Sequence, residues 1–264
     1  MELKQNSNKD VYVLGELIHN AHVINELTKM GIKTVPTLPQ NGCGYCVIRS
    51  HGVAPEIIED IENNGYEILD MTCPDVKKVQ QRAVELAKSG YFVVIVGKSH
   101  HPEVVAIKAN AALYSDDIVV AASLEELMPY EDRIKSHQKV GIVVQTTQML
   151  STLNTIVNRV NSIAKEVLIY NTICKSTSMR QKEARELARE SDLMVVVGSK
   201  KSANTTHLAE ILKTITETIH IENESELEQY RHIFKTAQNI AITAGASTPQ
   251  NVINKVIEHI EKEN

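Results

Sequence analysis

Short apolar runs rich in Val and Ile alternate with longer stretches of helical period along most of this chain. The pattern predicts strands over 11–14, 46–50, 67–71, 92–96, 118–122, 140–145, 167–171, 193–197, 218–222 and 239–243. Between them it predicts helices over 18–30, 55–63, 75–88, 103–110, 148–163, 176–189, 204–215 and 249–261. Parallel strands need a crossover long enough to hold a helix, so this alternation reads as α/β architecture with mainly parallel sheets.

The pattern also repeats. Cys73 and Cys174 lie 101 residues apart, and the same shift pairs Gln80 with Gln181, Ala83 with Ala184, Leu86 with Leu187, Val94 with Val195 and Gly97 with Gly198. Each copy runs cysteine, amphipathic helix, apolar strand, glycine and polar loop. Carried downstream without a gap, the shift places Thr146 on Ser247. A partial earlier copy has Gly15 followed by His19 at the spacing that joins Gly97 to His101 and Gly198 to Ser202, and His51 in RSHGV marks its second strand end. The cysteine of that copy falls about nine residues before Met1, which reads as a shortened or wrongly chosen start. The expectation is three related α/β lobes, 1–73, 74–173 and 174–264, arranged as a pseudo-threefold trefoil around a central cavity, the first lobe incomplete at its N-terminus.

Composition narrows the function classes. The net charge of −5, without a run of like charges, argues against nucleic acid or an anionic membrane as partner. No apolar run approaches the length of a membrane span and no leader pattern is present, so the chain reads as soluble and cytoplasmic. Trp is absent and there are only 2 Phe, which leaves the core to Ile, Val, Leu and Ala. Four cysteines in such a chain suggest metal or redox chemistry, or buried thiols, rather than a disulfide framework.

Chemistry in parallel sheets gathers at strand carboxyl ends. His19, His51, Cys73, His101, Thr146, Cys174, Ser202 and Ser247 all follow predicted strands, and a pseudo-threefold axis would bring them together. Three cysteines, one per lobe, would leave one iron of a cuboidal cluster open, though buried structural thiols explain Cys73 and Cys174 equally well. His19, His51, His101, Ser202, Asn204 and Ser247 are donors suited to a phosphate, and no Gly-x-Gly-x-x-Gly or Walker motif points to a nucleotide. Glu103 is the one carboxylate of the ring and a natural proton donor, or a helix N-terminal Glu favoured by the dipole after Pro102. Cys43 and Cys46 form one C-x-x-C pair and read as incidental thiols, because they enter their strand from its amino end.

GELIHN, RSHGV, TCP, HPEV, QTT, NTIC, GSKKSANT and TAGAST together resemble the 4-hydroxy-3-methylbut-2-enyl diphosphate reductase family, from about Val11 to the C-terminus. The resemblance implies a three-lobed trefoil around a [4Fe–4S] cluster held by Cys73 and Cys174. It implies a diphosphate bound by His19, His51, His101, Ser202, Asn204 and Ser247, protons from Glu103, and Thr146 near the substrate hydroxyl. The implied reaction is reductive dehydroxylation to isopentenyl and dimethylallyl diphosphate, the last step of the methylerythritol phosphate route, with electrons from ferredoxin or flavodoxin. The family's first cysteine is absent, and Ala203 stands where many relatives have a second serine. A second reading is a catalytically inactive relative that still binds diphosphates. A zinc hydrolase lacks the H-E-x-x-H or paired C-x-x-C pattern it needs.

Overall fold

A computed structural model of the chain describes residues 9–15, 21–40, 42–234 and 236–263. The chain divides into two compact units, residues 1–17 with 28–174 and residues 18–27 with 175–264.

The first unit holds two four-stranded sheets. One has the order β2-β1-β3-β4, built from β1 (Asp10–Leu14), β2 (Ile32–Val35), β3 (Gly44–Ile48) and β4 (Tyr66–Asp70). The other has the order β6-β5-β7-β8, from β5 (Phe92–Val96), β6 (Ile118–Ala121), β7 (Lys139–Val144) and β8 (Glu166–Tyr170). The second unit holds a three-stranded sheet, β10-β9-β11, from β9 (Leu193–Val197), β10 (Glu217–Ile221) and β11 (Ile240–Ala244). Every described strand pair is parallel, as the alternation of elements requires.

The central strands explain why the sheets form. β5, FVVIV, and β9, LMVVV, are buried at every position, because helices cover both faces. Along β5, Phe92, Val94 and Val96 face Leu153, Ile156 and Val160, while Val93 and Ile95 face Val79, Ala83 and Leu86. In β9, Leu193, Val195 and Val197 meet Val252 and Val256, while Met194 and Val196 meet Ala184, Ala188 and Leu208. Each such Val, Leu, Ile, Met or Phe side chain contributes about 1.5–3 kcal/mol relative to exposure. The sheet of β1–β4 has a smaller core of Tyr12, Cys46, Ile48, Ile61 and Tyr66.

Proline sets three helix starts. Pro55, Pro74 and Pro102 open Pro55–Asn63, Pro74–Lys88 and Pro102–Ala112, where the missing N–H costs nothing and φ is already helical. β2 and the short helices Leu124–Leu127 and Glu131–His137 are additions to the sequence-based pattern.

The repeat is visible in backbone hydrogen bonds. Gly15, Gly97 and Gly198 donate to Val35, Ala121 and Ile221 at 2.9, 3.1 and 2.8 Å. The gapless shift does not hold throughout. It aligns Pro102–Ala112 with Ala203–Lys213, but the connection into β10 is one residue shorter than that into β6. Val144 and Ala244 therefore stand opposite Val96 and Val197 at the same register, which aligns Thr147, not Thr146, with Ser247.

Candidate active site

β5 ends at Gly97, where a Cβ would come within 2.8 Å of Val104 and 2.9 Å of Gln145, so only glycine lets the following segment close over the strand end. The chain then reaches His101, which caps Pro102–Ala112: its Nδ1 accepts the Glu103 backbone N–H at 3.2 Å. Glu103, in the first helical turn, is buried to 1% exposure. Its Oε1 accepts the backbone N–H of Thr146 at 2.7 Å and its Oε2 the Thr146 hydroxyl at 2.8 Å. Burial pushes this carboxyl above its ordinary value and outweighs the two hydrogen bonds, which favour the charged form. Beside it, Gln145 accepts the Lys98 N–H and donates to the Thr147 hydroxyl, both at 3.2 Å.

His51 comes from the turn after β3 and meets His101 edge to face, with ring centroids 5.3 Å apart. The strand ends of both sheets in the first unit thus bring His51, His101, Glu103 and Thr146 together. The two cysteines are tied to the same turns. Cys73 N–H donates to Ser50 O at 3.0 Å, next to His51, and Cys174 N–H donates to Thr146 O at 2.8 Å. Cys73 caps Pro74–Lys88 without a side-chain capping bond, Cys174 precedes Lys175–Arg189, and both side chains are partly exposed. Cys46 differs: it is fully buried in β3, and burial pushes its thiol up to about 11. Cys43 is exposed at the amino end of that strand.

In the second unit, Ser202 caps Ala203–Lys213, its Oγ accepting the Thr205 N–H at 3.4 Å and the Thr205 hydroxyl at 3.1 Å. Asn204 is partly buried in the first turn, the repeat position of Glu103, and Ser247 is partly buried in the turn after β11. His19 lies outside the described residues.

Sequence reasoning passed over Thr147. Three equivalent turns close alike: Gly52, Gln148 and Thr248 donate to Arg49, Gln145 and Gly245 at 3.0 Å each. These bonds align His51, Thr147 and Ser247. His220 hydrogen-bonds Gly198 O through Nε2 at 2.9 Å, and burial holds its pKa below the usual histidine range.

Among the described residues, no group of three or more His, Cys, Asp or Glu side chains is gathered to hold a metal ion. Two sulfur donors at strand carboxyl ends, each opening a helix, fit iron–sulfur ligation in kind, as a partial set.

The family described as LytB protein matches residues 1–261. The chain belongs to the LytB family. It is 40% identical over 254 residues to 4-hydroxy-3-methylbut-2-enyl diphosphate reductase of Geobacter sulfurreducens, covering 96% of this chain and 87% of that protein. It is 36% identical over 266 residues to the reductase of the same name from Aquifex aeolicus, covering 98% and 88%. Among solved structures, that of (E)-4-hydroxy-3-methyl-but-2-enyl diphosphate reductase, the terminal enzyme of the non-mevalonate pathway, superimposes with a TM-score of 0.73 at 36% identity, covering 99% of this chain and 91% of that one. The Plasmodium falciparum E-1-hydroxy-2-methyl-but-2-enyl-4-diphosphate reductase shares the fold, with a TM-score of 0.86 at 24% identity over 97% of this chain and 80% of that one. No described helix is long and apolar enough to cross a membrane.

Proposed function

We propose that this LytB chain reductively dehydroxylates 4-hydroxy-3-methylbut-2-enyl diphosphate to isopentenyl and dimethylallyl diphosphate. The carbon–oxygen bond to the hydroxyl breaks with two electrons and two protons, and water leaves. One observation carries the reading: a buried carboxyl group, Glu103, with its pKa raised by burial, is held by Thr146 beside the His51–His101 pair. The matched reductases favour this over the binding-only alternative.

His51, His101, Ser202, Asn204 and Ser247, with His19, hold the diphosphate in this account. Protonated Glu103 is the acid: its O–H donates to Thr146 Oγ across the 2.8 Å contact, which reverses the bond made to the carboxylate and frees the Thr146 hydrogen to pass to the substrate hydroxyl. A carboxyl group can donate only while protonated, so burial serves the step by keeping the proton on. Cys73 and Cys174 would hold an iron–sulfur cluster. When bound, that cluster supplies the electrons and a Lewis-acidic iron. The electron donor is a one-electron carrier of the ferredoxin or flavodoxin class.

Glu103→Gln tests the assignment. The variant keeps the iron content of wild type, and its turnover falls about 10²–10⁴-fold, the usual worth of a positioned acid. Turnover equal to wild type would remove Glu103 from the chemistry.

A further inference from the structure

Gln80 and Gln181 are the first side chains paired by the repeat downstream of the cysteines, and the proposed chemistry leaves both unused. Each lies seven residues after its cysteine, about two turns along the helix, and so on the cysteine's face. Each also breaks the same rule. Gln80 Nε2 and Gln181 Nε2 are buried and meet no hydrogen-bond partner among the described residues. A buried donor without an acceptor destabilises the fold, and such conflicts between local chemistry and stability concentrate at functional sites. One instance is an irregularity of packing. The same orphaned N–H in two copies marks the position itself.

The surroundings of Gln80 show what it could serve. Its amide lies against Gly52, the residue after His51: a Cβ at Gly52 would stand 2.6 Å from Gln80 Nε2 and 3.2 Å from Thr72 Cγ2. Gly52 has φ +71°, a left-handed conformation that suits glycine. The Cys73 N–H bond to Ser50 O already ties this turn to the helix that carries Gln80. Gln80, Gly52, Thr72 and Lys77 also line a cavity of about 290 Å³, which leaves the turn room to shift. Lys77, on the same cavity, is paired with Asp70 at 2.6 Å, whereas the Gln80 amide nitrogen meets no partner among the described residues.

We infer that Gln80 is a positioning residue for His51: its side-chain N–H, which meets no hydrogen-bond partner among the described residues, donates to the backbone of the His51 turn when that turn engages a phosphate. The inference rests on the reading of His51 as a phosphate ligand.

The test is titration of the full chain with inorganic diphosphate, by calorimetry, in wild type, Gln80→Met and His51→Ala, with ligand-free thermal unfolding of each. Met keeps the length and loses the N–H. Gln80→Met is expected to bind diphosphate about tenfold more weakly, the worth of roughly one hydrogen bond. Its ligand-free unfolding midpoint is expected to stay equal or rise, because no unpartnered donor remains buried. A merely structural glutamine would not give that split. Wild-type affinity in Gln80→Met, or a midpoint that falls together with affinity, overturns the inference. If His51→Ala weakens binding and Gln80→Met does not, only the positioning role fails. If His51→Ala also binds as wild type, the phosphate-ligand reading fails and takes the inference with it.

Discussion

At the scale of single residues, Glu103 combines the strongest chemistry with the clearest cost. Its pKa is raised above the ordinary carboxylate value of 4.5 by burial. Between that ordinary value and the raised one, the folded chain holds a proton that the unfolded chain has released. Stability conferred by the protonated carboxyl is therefore lost as pH rises through this window. Urea midpoints of wild type should fall across it relative to Glu103→Gln, which carries no titrating group there; parallel curves would contradict the buried, proton-holding state. Glu103 and His101 were legible in sequence because HPE follows a strand, and the repeat marks His101 again as Ser202. Thr147 was not legible. A one-residue shortening before β10 shifts the register, and TTQ against ASTP offers a hydroxyl under either alignment. Cys46, expected at the start of its strand, lies in the middle of β3, and its burial and raised thiol pKa agree with an inert thiol.

At the scale of elements, the strands that sequence located best are those buried on both faces. β5 and β9 run apolar without interruption and leave no other reading. β2, IKTV, was missed because it is a four-residue edge strand with one buried position, set between Gly31 and Pro36. The short helices Leu124–Leu127 and Glu131–His137 hold too few turns for a helical period to show. The helix that follows Cys73 is seated by an exchange of volumes: a Cβ at Gly141 in β7 would meet Leu86 Cδ2 at 2.4 Å. Gly141→Ala should force that helix outward and destabilise the first unit by about 1–3 kcal/mol, the usual cost of overpacking. Chemical denaturation reads this directly, and an unchanged midpoint would mean the helix yields freely. Movement of the helix also moves Cys73 and, through the bond to Ser50 O, the His51 turn.

At the scale of the whole molecule, repetition is what made the fold readable. Three parallel sheets share the core orders β2-β1-β3, β6-β5-β7 and β10-β9-β11, and equivalent turns close with equivalent hydrogen bonds. Sequence gave the α/β class and the placement of chemistry at strand ends, because both follow from hydrophobic period and from the geometry of parallel sheets. It could not give the pairing of His51 with His101, or the grip of Thr146 on Glu103, because those contacts join residues 50 and 43 positions apart through packing alone. The central claim is that this LytB chain removes the hydroxyl group from a bound allylic diphosphate. The most direct measurement is product analysis after anaerobic incubation of the iron- and sulfide-reconstituted chain with 4-hydroxy-3-methylbut-2-enyl diphosphate and a reduced viologen. Isopentenyl and dimethylallyl diphosphate, formed in catalytic excess over the chain, are the predicted result. Diphosphate binding with the substrate recovered unchanged would contradict it.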